Sequence, residues 1–204
     1  MIRACVALIG VLTISACTPM IDPPSRSVAL AQGEVIATSP AGYCIDDIGS
    51  HPERDFAILA PCVTLGADTA APSLVGFATV QVGPADSGSV AADELALRDY
   101  LITEDGARLL SQTGDAEAVD ILSSQAFNSQ VMIHFTDAGP PPMAGLQGEE
   151  WRAFTNINGR LVTIGVRGLA VAPLQEGPGA TLLKLVLAGV RAAATEEEAI
   201  APDA

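Results

Sequence analysis

Basic residues, aromatic residues and long apolar runs are all scarce in this sequence. Lysine and arginine number 10 against 24 aspartates and glutamates, which gives a formal charge of −14 at pH 7. Nucleic-acid binders and proteins that dock on anionic lipid need a basic face, so this balance argues against both classes. Aromatic residues make up 4% and hydrophobic residues 49%. We therefore expect a folded domain whose core consists mainly of small aliphatic side chains.

The apolar run at the start of the chain reads as an export signal. Val6 to Ile14 follows Arg3 and is shorter than the roughly 20 residues that a membrane-spanning helix needs. It ends in the tetrapeptide ISAC, whose cysteine is Cys17, and this tetrapeptide resembles a bacterial lipobox. The resemblance implies a lipoprotein signal peptide over residues 1–16, cleavage before Cys17, and lipidation of that cysteine. An ordinary signal peptide with an incidental cysteine is the alternative.

The residues after Cys17 indicate where the protein is held. Thr18 stands where an aspartate retains many lipoproteins in the inner membrane. The resemblance therefore implies an anchor in the outer membrane, with the protein facing the periplasm. Residues 17–32 contain three prolines and show no helical or strand period, so they are predicted to form a flexible tether.

The four cysteines have separate predicted roles. Cys5 leaves with the signal and Cys17 carries the lipid, so Cys44 and Cys62 remain as a pair in an oxidising compartment. We predict a disulfide between them. A metal or redox site that uses both cysteines and His51 is the alternative, but no familiar zinc spacing and no CxxC motif is present.

The region around this pair reads as an N-terminal hairpin over residues 33–66. Strands are predicted at Val35–Thr38 and within residues 56–65, on either side of a polar loop at residues 46–55. A hairpin of this size does not fold well alone. We therefore expect it to pack on an α+β part at 74–195, so that residues 33–195 form a single domain.

One strand and one helix are predicted in the first part of that α+β region. Alternating apolar residues predict a strand at Phe77–Val82. A helix is predicted at Val90–Ile102, with Ser89 as its N-cap and acidic residues in its first turns. Asp105-Gly106 is expected to interrupt it, and Ala107–Leu110 to add one more turn.

Two hairpins follow. Val119–Phe127 and Gln130–Asp137 flank the turn pair Asn128-Ser129. The second hairpin, within residues 151–166, surrounds Asn158-Gly159, the residue pair that type I′ turns prefer. That turn sets the facing pairs, which are Thr155 with Val162, Ala153 with Ile164, and Trp151 with Val166. Phe154 and Leu161 fall on the other face, which is therefore predicted to be partly covered.

A helix is predicted at residues 177–194, where leucines and valines recur at helical spacing. We expect it to pack on the sheet, and a second membrane contact is the alternative. Three consecutive glutamates at 196–198 would oppose the dipole at its end. The helix is thus expected to stop near Thr195, and residues 196–204 to form an acidic tail.

These elements predict an α+β fold, an antiparallel sheet of hairpins with the C-terminal helix packed on it and one further helix. Their order is similar to that of the PsbP-like α+β group, and the resemblance implies a binding or assembly role. The segments GYCIDD, FAILAPC and WRAFTNINGRLVTI also resemble those of small uncharacterised alphaproteobacterial lipoproteins. That second resemblance implies no particular reaction.

Residues that could carry chemistry are few. His134 lies in a predicted strand and is expected to be a satisfied or solvent-facing sheet residue, while His51 is expected in a surface loop. No chemical role is predicted for the acidic pairs. Asp46-Asp47 is expected in a solvated loop, Glu104-Asp105 in a turn, and Glu149-Glu150 as charges at the edge of a strand. Gly177-Pro178-Gly179 is read as a helix entry. No GxSxG elbow, Walker loop or dinucleotide-binding GxGxxG is present.

The sequence therefore predicts no catalytic residue, metal site or cofactor. It favours a lipid-anchored envelope protein that binds a periplasmic or outer-membrane partner or supports envelope assembly. Two alternatives stay open. One is an envelope hydrolase that uses a histidine or an acidic pair. The other is a carrier of a small apolar ligand between the sheet and the C-terminal helix. The oligomeric state does not follow from the sequence.

Overall fold

The computed structural model describes residues 23–91 and 93–194. The predicted signal peptide, Cys17 and the acidic tail lie outside the described residues, as does Thr195. Along the described chain, ten strands and three helices follow one another: β1 (Ser27–Leu30), β2 (Val35–Thr38), β3 (Tyr43–Ile45), β4 (Phe56–Pro61), β5 (Phe77–Val82), α1 (Glu94–Leu101), α2 (Glu104–Leu110), β6 (Val119–Phe127), β7 (Gln130–Asp137), β8 (Glu149–Ile157), β9 (Arg160–Arg167), α3 (Glu176–Gly189) and β10 (Val190–Ala192). No helix among the described residues is long and apolar enough to cross a membrane.

Seven of the strands form one antiparallel sheet, in the order β3-β4-β5-β9-β8-β7-β6. The remaining three, β1, β2 and β10, form a small sheet with β2 in the middle. This is the predicted α+β fold, with a sheet of hairpins and a helix near the C-terminus packed on it.

One face of the large sheet is covered along most of its width. Helix α3 and the small sheet pack on this face and enclose the main core, in which Trp151 is the largest fully buried side chain. Gly179 of α3 lies directly against the Trp151 indole, where even a methyl group would overlap the ring. The helix and the sheet thus approach as closely as their side chains allow.

The opposite face is covered only in part. Helices α1 and α2 pack over β6 and β7 and form a second core around Phe135, which is fully buried. Phe154 and Leu161, on β8 and β9, pack at the margin of this second core. The prediction that their face is partly covered is confirmed, and the rest of the face stays open.

Both predicted hairpins are present. Asn128 and Ser129 connect β6 to β7 with positive φ angles of 52° and 57°. Asn158 and Gly159 connect β8 to β9 in the same way, at 51° and 75°. The register of the second hairpin pairs Trp151 with Val166, Ala153 with Ile164 and Thr155 with Val162, as the turn chemistry predicted.

The N-terminal part differs from the prediction. Residues 27–30, expected within the tether, form β1 and pair with β2. The expected hairpin of residues 33–66 is also wrong in its pairing, because β2 joins the small sheet and β3 is the partner of β4. The physical reason is burial: Leu30 is 0% exposed because it packs in the main core, among residues that are distant in the sequence.

The first helix begins later than predicted. Asp93, and not Ser89, is the N-cap of α1, and its carboxylate accepts a hydrogen bond from the Ala96 amide at 2.9 Å. The break falls at Ile102, because Thr103 caps α2 by accepting from the Gly106 amide at 3.2 Å. Gly106 is therefore inside α2, at a point where a side chain would strike the α1 backbone.

The last helix is shorter than predicted. It ends at Gly189, where the chain extends into β10 and pairs with β2. A side chain at position 189 would overlap the Thr38 carbonyl, so the close approach of the two backbones requires glycine. Beyond Gly189 the pairing with β2 satisfies the backbone in place of a further helical turn.

The predicted disulfide between Cys44 and Cys62 is present, with 4.9 Å between the two Cα atoms. It joins β3 to the 3-10 turn that follows β4, since residues 62–65 leave the strand predicted there. The bond thus fixes β3, the three-residue edge strand of the large sheet.

Because α3 contacts Trp151 at one glycine only, substitution of two glycines of this helix should change stability in opposite directions. Gly179→Ala forces the helix away from the indole, and we expect it to lower the free energy of unfolding by about 3 kcal/mol. Gly177→Ala is the matched control, because nothing lies within 4 Å of a Cβ there. It should raise stability by about 0.5 kcal/mol through helix propensity. Urea unfolding of both variants measures the difference, and equal stabilities would contradict the close packing.

Tyr43 predicts a loss of stability in alkali. Its hydroxyl donates to the Leu74 carbonyl at 2.7 Å and accepts from the Gly76 amide at 3.1 Å, and burial raises its pKa to about 12. The folded state therefore holds this proton above the ordinary pKa of 10.0. The stability that this proton contributes is fully present below pH 10 and is lost as the pH rises through 12, with a total loss of about 3 kcal/mol.

Denaturant unfolding at several pH values measures this loss. Tyr43→Phe cannot ionise at this position and should lack this component of the pH dependence. A wild-type profile that stays parallel to that of the variant between pH 10 and 12 would contradict the assignment.

Candidate functional site

The open part of the large sheet carries a groove of about 250 Å³. Its floor is formed by β5, β8 and β9, on the face turned away from α3. Apolar side chains from β4, β5 and the loop after β7 form its walls; they are Phe56, Phe77, Pro142 and Leu146. We call this the open-face groove.

Three charged side chains form a network in this groove. Glu150 is 4% exposed and Arg167 is 5% exposed, so both are buried. The Arg167 Nη2 atom lies 2.5 Å from Glu150 Oε2, and Arg152 Nε donates to Glu150 Oε1 at 2.7 Å. One carboxylate thus bridges two guanidinium groups, which leaves the network with a net charge of +1.

Other contacts fix each arginine in place. Arg167 Nη1 donates to the carbonyls of Gln147 and Gly148, at 3.0 Å and 3.2 Å. The Arg152 guanidinium carbon lies 5.1 Å from the centre of the Phe135 ring, in a cation–π contact. The network is therefore held by the second core on one side and by the loop before β8 on the other.

Strand alternation and one glycine build this arrangement. Glu150 and Arg152 are two residues apart on β8, so they project from the same face, and Arg152 pairs across the ladder with Gly165 of β9. A Cβ at Gly165 would lie 2.9 Å from both Glu150 Oε1 and Thr79 Oγ1. Glycine at this position leaves the space that the carboxylate occupies.

The sequence interpretation missed this network. Glu149 and Glu150 are both predicted to be edge charges, but only Glu149 is partly exposed, while Glu150 points into the open-face groove. The available signal was the alternation of the β8–β9 hairpin, which puts Arg152, Gly165 and Arg167 on one face. Which part of that face the helices leave open depended on tertiary packing.

His134 lies on the covered face of the sheet, opposite Val131 and Ile133 as predicted. It is 6% exposed, its ring stacks on Trp151 at 4.5 Å, and Nε2 lies 2.6 Å from Glu149 Oε1. Within the described part of the chain, Nδ1 has no hydrogen-bond partner.

A cavity of about 60 Å³ adjoins this ring, at the edge of the interface between α3 and the sheet. The carrier alternative predicted an apolar cavity in that interface. Core side chains fill most of the interface, and polar groups such as Ser123 and Glu176 help to line the cavity at its edge. An open cavity of about 300 Å³ lies between α3 and the end of the β6–β7 hairpin, with Phe127 and Leu187 among its lining residues.

The other candidates lie apart from one another. His51 is half exposed beside Glu53, and Asp46 closes its own loop by accepting from the amides of Ile48 and Gly49 at 3.0 Å and 3.1 Å. Glu104-Asp105 lies in the first turn of α2, where both carboxylates face Arg108. Gly177-Pro178-Gly179 forms the first turns of α3.

Metal binding finds no support among the residues that the structure describes. They contain no group of three or more histidines, cysteines or carboxylates arranged to hold an ion. Cys44 and Cys62 are joined to each other, and His51 takes no part in that bond. The lipidation site, Cys17, lies outside the described residues.

No protein-family model matches this chain, and no curated protein matches it either. Solved structures are similar. A Mog1 point mutant superposes with a TM-score of 0.51 at 12% identity, over 84% of this chain and 97% of that chain. The Ran-binding protein Mog1p of Saccharomyces cerevisiae gives 0.50 at 12% identity, over 81% and 93%. The chain has a Mog1-like fold.

PsbP of the cyanobacterium Synechocystis sp. PCC 6803, from the group that the order of elements resembles, gives a TM-score of 0.44 at 11% identity, over 88% of this chain and 98% of that chain. Identities this low concern the fold alone, since unrelated functions occur on one fold.

The charge network predicts that Arg167 is required for folding stability. Arg167→Met leaves the buried Glu150 carboxylate with Arg152 as its remaining partner, and we expect a loss of about 3 kcal/mol in the free energy of unfolding. Arg108→Met is the control, since this exposed side chain pairs with Glu104 on one helix and should cost less than about 0.5 kcal/mol. Thermal and urea unfolding measure both, and a small effect at Arg167 would show that the network contributes little.

Proposed function

We propose that this protein is a non-catalytic binding module of the cell envelope, which holds a partner protein at its open-face groove. The observation that supports this is the groove itself. It is a concave surface with apolar walls and a fixed charged network, on a sheet face that the helices leave open. Preformed concave sites that combine apolar walls with a few placed polar groups are typical of binding sites.

The envelope location is proposed from the sequence together with the disulfide. A bond between Cys44 and Cys62 suits an oxidising compartment. The tetrapeptide that resembles a lipobox supports lipidation of Cys17. The lipid would anchor the protein in the outer membrane. Because β1 begins at Ser27, nine residues lie between Cys17 and this strand, and the ten steps from one Cα to the next span at most about 35 Å. The groove would therefore act close to the membrane surface.

Hydrolysis is a second candidate function. Ser123 and His134 pair across β6 and β7, and His134 contacts Glu149. Neighbouring strands thus supply a hydroxyl and an imidazole beside one cavity, and a carboxylate in contact with that imidazole. Binding is favoured because His134 is 6% exposed and the adjoining cavity is about 60 Å³, which leaves little space for a substrate.

Site-specific photo-crosslinking in intact cells tests the binding function. A photoreactive residue at Pro142 or at Gln112, two exposed positions that line the open-face groove, should crosslink one envelope protein. Leu185 is the matched control, since it is 48% exposed on α3, on the other side of the sheet. Crosslinks of equal yield from Leu185, or none from the groove, would contradict the proposal.

The same cells test the lipid anchor and the hydrolytic alternative. Cys17→Ser should abolish incorporation of an alkyne-labelled fatty acid and release the protein from the membrane fraction. Incorporation that persists in this variant would contradict the anchor. His134→Ala should leave the groove crosslinks unchanged, whereas loss of a measured hydrolytic activity in that variant would favour the second candidate.

A further inference from the structure

We infer that the open-face groove recognises a carboxylate attached to an apolar group, as at the C-terminal residue of a polypeptide, and that Arg152 binds that carboxylate. The inference rests on the proposed binding function and specifies the chemistry of the partner. It depends on three features of the groove: the free hydrogen-bond donors of Arg152, the local charge, and the size of the space beside them.

Arg152 has donors to spare. Its hydrogen bond within the protein is made by Nε, which donates to Glu150, and its guanidinium group lies over Phe135. Within residues 23–91 and 93–194, the two terminal nitrogens form no hydrogen bond. The side chain is 13% exposed, so these nitrogens have limited access to water. A guanidinium group held in this way presents parallel N–H groups that match the two oxygens of a carboxylate.

The local charge selects a monoanion. Two arginines and one glutamate leave the network at +1, so one carboxylate makes it neutral. Arg167 Nη1 already donates to the carbonyls of Gln147 and Gly148, and Nη2 forms an ion pair with Glu150, so Arg167 acts as a positioning residue. The chain as a whole carries −14, so these two arginines are a local exception to an acidic surface. The positive charge of the network favours binding of an anion here, because the site is partly buried and the field is concentrated there.

The neighbouring surface suits an apolar side chain and a peptide bond. Phe56, Phe77 and Leu146 supply apolar contact. The hydroxyls of Thr79 and Thr163 line the groove as well, and neither forms a hydrogen bond within the described residues. These hydroxyls can each donate to a carbonyl or accept from an amide.

The size of the groove favours a chain end over a whole small molecule. Its volume of about 250 Å³ is below the 300–1,000 Å³ of cavities that enclose a drug-sized ligand. A groove of this size holds one terminal side chain and its carboxylate, while the rest of the partner lies outside. We therefore assign the occupant to a polypeptide and treat a free acid as an outcome of the test.

The experiment compares two probes that differ in one group. N-acetyl-Ala-Ala-Phe with a free carboxylate and the same peptide as its C-terminal amide are titrated into the 15N-labelled protein. The acid should shift the backbone amide signals of Thr79, Gly165 and Arg167 in a saturable way. The amide should bind at least about tenfold more weakly, since it lacks the charge that pairs with Arg152.

Variants assign the preference to Arg152. Arg152→Met should bind acid and amide equally. This variant loses stability because Glu150 keeps Arg167 as its remaining partner, so the dispersion of its 15N spectrum is checked first to show that it folds. Arg152→Lys should recover part of the preference for the acid, as a point charge without the fork geometry. Arg98→Met, on the exposed surface of α1 beside Asp99, is the control and should bind like the wild type. Thr79→Trp should fill the groove and block both peptides while the charged network stays intact.

Three results would overturn the inference. The first is equal binding of acid and amide by the wild type, and the second is the absence of saturable shifts up to about 5 mM peptide. The third is binding of 3-phenylpropionate as tight as that of the peptide acid, because this would assign the site to a free small acid.

The inference and the proposed function can fail separately. Groove crosslinks in cells without a preference for the acid would leave the binding function standing and remove the carboxylate. The opposite result is a clear preference for the acid without groove crosslinks in cells. It would support the carboxylate site but contradict an envelope protein as its occupant.

Discussion

The register of the β8–β9 hairpin is the constraint on which both cores and the groove depend. Because side chains alternate along a strand, a slip of one residue would exchange the two faces. Trp151 would then leave α3, and Glu150 and Arg152 would enter the main core. The turn at Asn158-Gly159 and the apolar pattern of the two strands select the same register. The central strands can therefore carry an apolar core on one face and a charged network on the other.

The second face of the sheet is covered only in part, and this leaves the charged side chains of the hairpin in a groove. Helices α1 and α2 are eight and seven residues long, and they cover β6 and β7 while leaving the open-face groove beside them. Arg152 stands at the boundary, with its guanidinium group over Phe135 of the second core. The edge of that core thus holds a charged side chain in a fixed orientation. Hydrogen-bond donors that are already rigid and partly desolvated favour binding, because the side chain loses little conformational entropy when a ligand binds.

Acidity and site chemistry act at different ranges in this protein. The formal charge of −14 concerns solubility and long-range repulsion, and salt screens it over about 10 Å. The network of Glu150, Arg152 and Arg167 is mostly buried and is screened much less. A carboxylate close to the groove is therefore governed by the local +1 charge.

The sequence by itself determined the features that depend on neighbours along the chain. The two hairpins, their turns, the pairing register and the presence of a helix near the C-terminus all follow from local turn chemistry and periodicity. The disulfide followed from the elimination of the other cysteines. Only the tertiary structure decided that residues 27–30 form a strand, that α3 ends at Gly189, and that Glu150 is buried. Each of these depends on contact with residues distant in sequence, which a local pattern does not encode.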